Sequence, residues 1–98
     1  MSKFGDLIDH EVPVLLVFYT EWSEEYEAVH PVLTDVAAVL GDKAIVIKIN
    51  VDKNESLADA LRIKALPTFV IYKDGEMVWR RTDVMSANDL VVELKSFS

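Results

Sequence analysis

Between residues 21 and 30 the chain gathers the side chains that could do chemistry: Glu21, Ser23, Glu24, Glu25, Tyr26, Glu27 and His30. Tyr26 and His30 stand four apart, so on a helix the imidazole meets the phenol and a hydrogen-bonded pair is expected. Such a pair works as a general base only with a substrate beside it; the alternative is packing next to Pro31. Four carboxylates within seven residues suit a helix start, where the dipole favours negative charge, and equally suit a docking face for a basic partner. Ser23 heads that helix, where its hydroxyl is expected to accept backbone N–H bonds as an N-cap. His10 is the other histidine, and no ligand set has metal spacing, so neither a metal nor a cofactor is expected.

Composition narrows the chemistry further. The chain has no cysteine, which removes disulfides, zinc–thiolate sites and thiol nucleophiles together. Seventeen acidic residues against ten basic ones give a net charge of -7, and no basic cluster is denser than Arg80-Arg81. Such a surface repels phosphate backbones and anionic lipid, so neither nucleic acid nor membrane is expected as a partner. With 98 residues, 51% of them apolar, three glycines and three prolines, a single domain over residues 1–98 is expected. The longest apolar run, Val12 to Tyr19, is too short to span a bilayer and follows Asp6, Asp9 and Glu11 rather than a basic leader, so the expected compartment is the cytoplasm.

The elements that must position these residues follow from periodicity. Phe4, Leu7 and Ile8 at helical spacing predict a short opening helix over residues 2–11, ended by Pro13 before an apolar strand from Val14 to Tyr19. Tyr26, Val29, Leu33, Val36 and Leu40 recur at intervals of three and four, with Gly41 closing the helix and Pro31 bending it. Ala44 to Val51 is apolar on both faces except at Lys48, which predicts a strand covered on both sides. Asn54 is expected to cap a third helix running to about Ile63, with Leu57, Ala58 and Leu61 inward. Asp74-Gly75 between Thr68–Tyr72 and Met77–Arg81 predicts a tight antiparallel hairpin. Ser86 with Asp89 three places on resembles a capping box for a closing helix whose stripe is Ala87, Leu90, Val91 and Leu94. That order requires a parallel crossover followed by an antiparallel pair in one mixed sheet.

Three segments resemble the thioredoxin family in register from Val14 onward. Leu16-Val17-Phe18-Tyr19-Thr20-Glu21-Trp22 is similar to the strand and aromatic lead into that family's Trp-Cys-Gly-Pro-Cys site, and Pro31 falls at its helix-kinking proline. Ile63-Lys64-Ala65-Leu66-Pro67-Thr68 resembles the segment holding its cis-proline. Tyr72-Lys73-Asp74-Gly75-Glu76 resembles the hairpin that follows. The resemblance implies an α/β, three-layer α/β/α fold with a mixed sheet flanked by helices. Residues before Val14 have room for a helix but hardly for the family's opening strand. Four strands are therefore expected, with Ala44 to Val51 at an open edge that could pair with a second copy, or else be covered by the N-terminal segment.

The departures from that pattern are as informative. Ser23 and Tyr26 stand at the family's two cysteine positions, Glu24-Glu25 replaces Gly-Pro, Val17 replaces the buried proton-relaying aspartate, and Asp83 replaces a glycine of the docking surface. The resemblance then implies a redox-inactive, non-catalytic module that binds a basic or extended segment of another protein. Its groove would be formed by Trp22, Leu66, Pro67, Thr68 and Asp83, beside an acidic corner of Glu21, Glu24, Glu25 and Glu27; the alternative is that Trp22 only caps the core and Pro67 only starts an edge strand. Lys48 is expected to lean toward one of these acids. Ser23 could instead activate the thiol of glutathione or a similar substrate, as a serine or tyrosine does in some glutathione transferases of the same broad fold. A third reading, a thiol–disulfide oxidoreductase by kinship alone, conflicts with the cysteine count.

Overall fold

The computed structural model describes residues 3–98. The chain runs α1 (Lys3–Ile8), β1 (Val14–Tyr19), α2 (Glu25–Leu40), a 3-10 turn (Gly41–Lys43), β2 (Ile45–Asn50), α3 (Glu55–Ala60), β3 (Thr68–Lys73), β4 (Glu76–Thr82) and α4 (Ala87–Ser96). The strands form one mixed sheet of order β2-β1-β3-β4. β1 pairs parallel to β2, with Val17 beside Lys48, and antiparallel to β3, with Phe18 beside Thr68. β3 and β4 then form the hairpin, closed by Asp74 and Gly75, which both take positive φ (54° and 82°). That geometry is the two-residue turn whose twist suits paired strands, and Gly75 adopts it without a Cβ penalty.

Strand alternation sends side chains to two cores. Leu15, Val17, Phe69 and Ile71 pack beneath α2 and α4 with Val29, Leu33, Val36, Leu90 and Leu94. Leu16, Phe18, Val70 and Tyr72 pack on the other face with Ile8 of α1, and Leu57 and Leu61 close that layer. Burial pushes the Tyr72 phenol above its ordinary pKa, an effect the positive charge of Arg80 opposes. α2 runs unbroken through Pro31, and Ser86 Oγ caps α4 by accepting from the Asp89 N–H at 3.1 Å. No described helix is long and apolar enough to cross a membrane.

Several expectations need correction. Leu7 is 41% exposed, because α1 is a short helix that turns only Ile8 fully inward and sets Phe4 edge-on against Tyr72. β2 lies at the sheet edge as expected, but its two faces are covered only in part: Val46 packs on the first core and Ile45 and Ile47 on the second, each half-buried, and Lys48 is exposed. Asn54 lends no side-chain cap to α3; its amide instead donates to the Asn50 carbonyl at 2.9 Å. α3 also stops at Ala60, short of Ile63. Arg62 turns to φ 56°, and the Arg80 guanidinium reaches across to donate to the Leu61 and Arg62 carbonyls at 2.6 and 2.8 Å. Those two charge-assisted bonds take up carbonyls that further helical turns would have used.

Candidate functional site

The register collects the end of β1, the end of β2, the start of β3 and the end of β4 at one end of the sheet. Most of the singled-out residues lie in loops or helix starts at that end; Val17 and Lys48 lie inside β1 and β2, Thr68 opens β3, His30 lies in the second turn of α2, and His10 lies at the opposite end, where its carbonyl accepts from the Asp74 N–H. Val17 lies wholly within the core, 0% exposed, on the central strand β1.

Thr20 organises the turn after β1. Its hydroxyl donates to Asp52 Oδ2 at 2.6 Å and accepts the Trp22 N–H at 3.3 Å, which ties the turn to the loop after β2 and projects Trp22 outward. Trp22 is 89% exposed, so it does not cap the core. Ser23 is not an N-cap either: α2 begins at Glu25, with Glu24 in the cap position and no side-chain cap bond. The Ser23 hydroxyl turns back and donates to the Thr20 carbonyl at 3.2 Å. A hydroxyl held there is turned toward its own backbone rather than toward a co-substrate.

Tyr26 and His30 meet edge to face, ring centroids 4.7 Å apart, rather than through a hydrogen bond. Tyr26 also stacks on Tyr19 at 5.3 Å, so a ring at the second former cysteine position covers the end of β1. Lys48 does not lean toward the acidic corner; its ammonium lies 3.1 Å from His30 Nδ1, which a neutral imidazole offers as an acceptor. Val17 explains the change of partner. With no buried carboxylate opposite it on β1, Lys48 finds its acceptor on α2.

Glu21, Trp22, Ser23, Glu24, Tyr26 and Glu27 line an open depression of about 340 Å³. Glu25, the fourth carboxylate of the corner, is not part of that lining. Among the described residues none of the four glutamates is in an ion pair. Leu66, Pro67, Thr68 and Asp83 are held together as a second group. The Leu66–Pro67 peptide bond is cis, Thr68 Oγ1 lies 2.6 Å from the Ala65 carbonyl and 2.9 Å from Thr82 Oγ1, and the Asp83 N–H donates to the Pro67 carbonyl at 3.2 Å. The Leu66 N–H and C=O make no hydrogen bond among the described residues. The two groups share the sheet end but do not line one cavity, and no cluster of three or more metal-ligating side chains occurs among the described residues.

Asp83 adopts φ 153°, a region that L residues avoid and glycine occupies freely, with its carboxylate accepting the Val84 N–H at 2.7 Å. Asp83→Gly is therefore expected to stabilise the fold by about 1 kcal/mol, after discounting the flexibility glycine adds to the unfolded chain. That corresponds to a melting temperature roughly 4–8 °C higher, measurable by thermal denaturation; a lower melting point would show that the bond to Val84 outweighs the strain. Sequence reasoning missed Thr20 and Asp52, because a short polar pair 32 residues apart leaves no periodic signal. It also missed Tyr19 as part of the aromatic cluster with Tyr26 and His30, although its place at the end of the strand that leads into α2 could have shown it.

The family model described as Thioredoxin matches residues 1–96. Thioredoxin Y, chloroplastic, of Oryza sativa subsp. japonica is 38% identical over 96 residues, which cover 97% of this chain and 57% of that protein. Thioredoxin Y2, chloroplastic, of Arabidopsis thaliana is 36% identical over 96 residues, 97% of this chain and 58% of that protein. The chain thus spans less than two-thirds of the length of these plant relatives. Among solved structures, a mutant thioredoxin from Halobacterium salinarum superposes with a TM-score of 0.88 at 29% identity, covering 99% of this chain and 84% of that one.

Proposed function

The chain belongs to the thioredoxin family, and from that premise we propose that it binds an extended, basic segment of another protein at the corner around Trp22, without disulfide exchange. The chain has no cysteine and so lacks the dithiol through which the family exchanges disulfides. The observation that carries the reading is Trp22, 89% exposed on a turn braced by Thr20 and Asp52. A ring of that size buries 150–250 Å² when covered and is among the side chains most often found to dominate an interface. The unbonded Leu66 N–H and C=O offer a main-chain contact at the same sheet end, and the unpaired glutamates favour a cationic segment.

The test is a fluorescence titration with an unstructured lysine-rich peptide in a Trp79→Phe background, so that Trp22 alone reports. A blue shift that saturates and weakens with salt is expected, and Trp22→Ala, followed by peptide anisotropy, should weaken binding about tenfold or more. Binding that Trp22→Ala leaves unchanged would refute the assignment of the corner.

A further inference from the structure

The second feature with unfilled bonding capacity lies away from that corner, on the free side of β2. The Ile45 N–H donates to the Pro13 carbonyl and the Val51 N–H to the Tyr19 carbonyl, so the odd-numbered residues of this strand bond toward β1. In a parallel pair alternate residues bond to opposite sides, so Val46 and Lys48 point their N–H and C=O outward, where no strand of the described chain follows. At Asn50 the edge closes, because its carbonyl already accepts from Lys53 and Asn54.

The edge is bordered by a groove of about 210 Å³ lined by His30, Leu33, Thr34, Ala37, Val46 and Lys48. Its floor is apolar beside Val46 and cationic beside Lys48. The Lys48 ammonium gives one of its three donors to His30 Nδ1 and has no carboxylate within ion-pair distance among the described residues. On the opposite face of the strand, Ile47 is half-buried against the second core.

We infer that this edge takes an extended acidic–apolar segment of another protein as an added antiparallel strand. Antiparallel pairing puts the residue opposite Lys48 two places before the residue opposite Val46, with both side chains on the α2 face. A carboxylate in the first place meets the Lys48 ammonium, an apolar side chain in the second enters the groove beside Val46, Leu33 and Ala37, and an apolar residue between them covers Ile47. The same geometry disfavours a second copy of β2. The register about Ile47 sets Lys48 against Val46 of the other copy and supplies no carboxylate, and the register about Lys48 sets two like charges against each other. This inference is independent of the Trp22 corner.

The probe is the capped octapeptide Lys-Thr-Thr-Glu-Val-Val-Thr-Lys, titrated into the ¹⁵N-labelled protein. Saturable shifts centred on Val46, Ile47 and Lys48 are expected, with slowed amide exchange at Val46 and Lys48. Replacing the peptide's Glu by Gln should weaken binding about threefold, and Lys48→Gln, an exposed substitution that leaves the fold intact, should abolish that difference. Methylating the peptide nitrogens of Glu and the second Val should abolish the shifts. The inference is overturned if the methylated peptide binds as well, if the shifts centre on Trp22 and Leu66, or if millimolar peptide gives no saturable shift. It is also overturned if Val46 and Lys48 are already protected in a concentration-dependent dimer without peptide.

Discussion

A Ser23→Cys, Tyr26→Cys variant is expected to reduce insulin, with a small dithiol supplied, about a hundredfold more slowly than a thioredoxin, because the site lacks proton transfer as well as sulfur. The unsubstituted chain should give no rate above the dithiol alone. An attacking thiol must ionise near neutral pH, and a thioredoxin reaches a pKa of about 7 at its helix N-terminus. Position 23 here lies ahead of the helix, which begins only at Glu25, and Glu21 and Glu24 line the same depression. Their charges oppose a thiolate, and the Thr20 carbonyl that now accepts from Ser23 would accept from a thiol, which favours the protonated form. Removing the Tyr26 ring also dissolves its stack on Tyr19 and its contact with His30, loosening the turn that must hold both sulfurs. Insulin turbidity measured beside a thioredoxin control decides the matter. A double-cysteine rate equal to the control's would mean that the surroundings of the site do not limit exchange.

Restoring the missing proton acceptor is expected to carry the largest cost in stability. Val17→Asp should destabilise the protein by about 3 kcal/mol at neutral pH, which lowers the melting temperature by roughly 15 °C. Val17 is fully buried on β1 among Val29, Phe69 and other apolar side chains, and a carboxylate there loses its hydration. Lys48 is its register neighbour on β2, but the ammonium is turned to His30 and would have to abandon that acceptor to help. Burial raises the folded-state pKa of the new carboxyl above its unfolded value of about 3.9. The unfolded chain then gives up its proton first, so the deficit is smallest below about pH 4 and grows as pH rises toward the raised folded pKa. Melting curves across that range check it, with Val17→Thr as the neutral polar control. A melting point at pH 7 unchanged by Val17→Asp would show that Lys48 satisfies the carboxylate after all.

Much of the architecture could be read from local rules acting alone. Asp74-Gly75, Ser86 with Asp89, and the apolar stripe of α2 each specify a backbone state within a few residues, and the structure contains all three. The position of β2 at the sheet edge agrees with the expected helical reading of the segment before Val14, since α1 rather than a strand occupies residues 3–8. The errors fall where a side chain had a choice of partners distant in sequence. Ser23 could cap or turn back, and the turn fixed by Thr20 and Asp52 put the Thr20 carbonyl within its reach. Lys48 could find a carboxylate or an imidazole, and the apolar Val17 left the imidazole. α3 had periodicity to continue past Ala60, but Arg80, nearly twenty residues further on, claimed the Leu61 and Arg62 carbonyls just beyond it. For Trp22 the sequence left groove and core both open, since an indole beside an apolar strand suits either until the turn that carries it is seen.

Val17 also makes exchange chemistry hard to acquire at this site by single steps. A carboxylate gained at position 17 first loses stability with no sulfur present to use the proton, while sulfurs gained first yield thiols that ionise poorly and lack a relay. The first order passes through a less stable form with nothing gained, the second yields only slow exchange, and the two changes gain most together. The packed methyls of one buried valine therefore act as a threshold, setting a cost in stability on any acquisition of a proton relay beneath this corner.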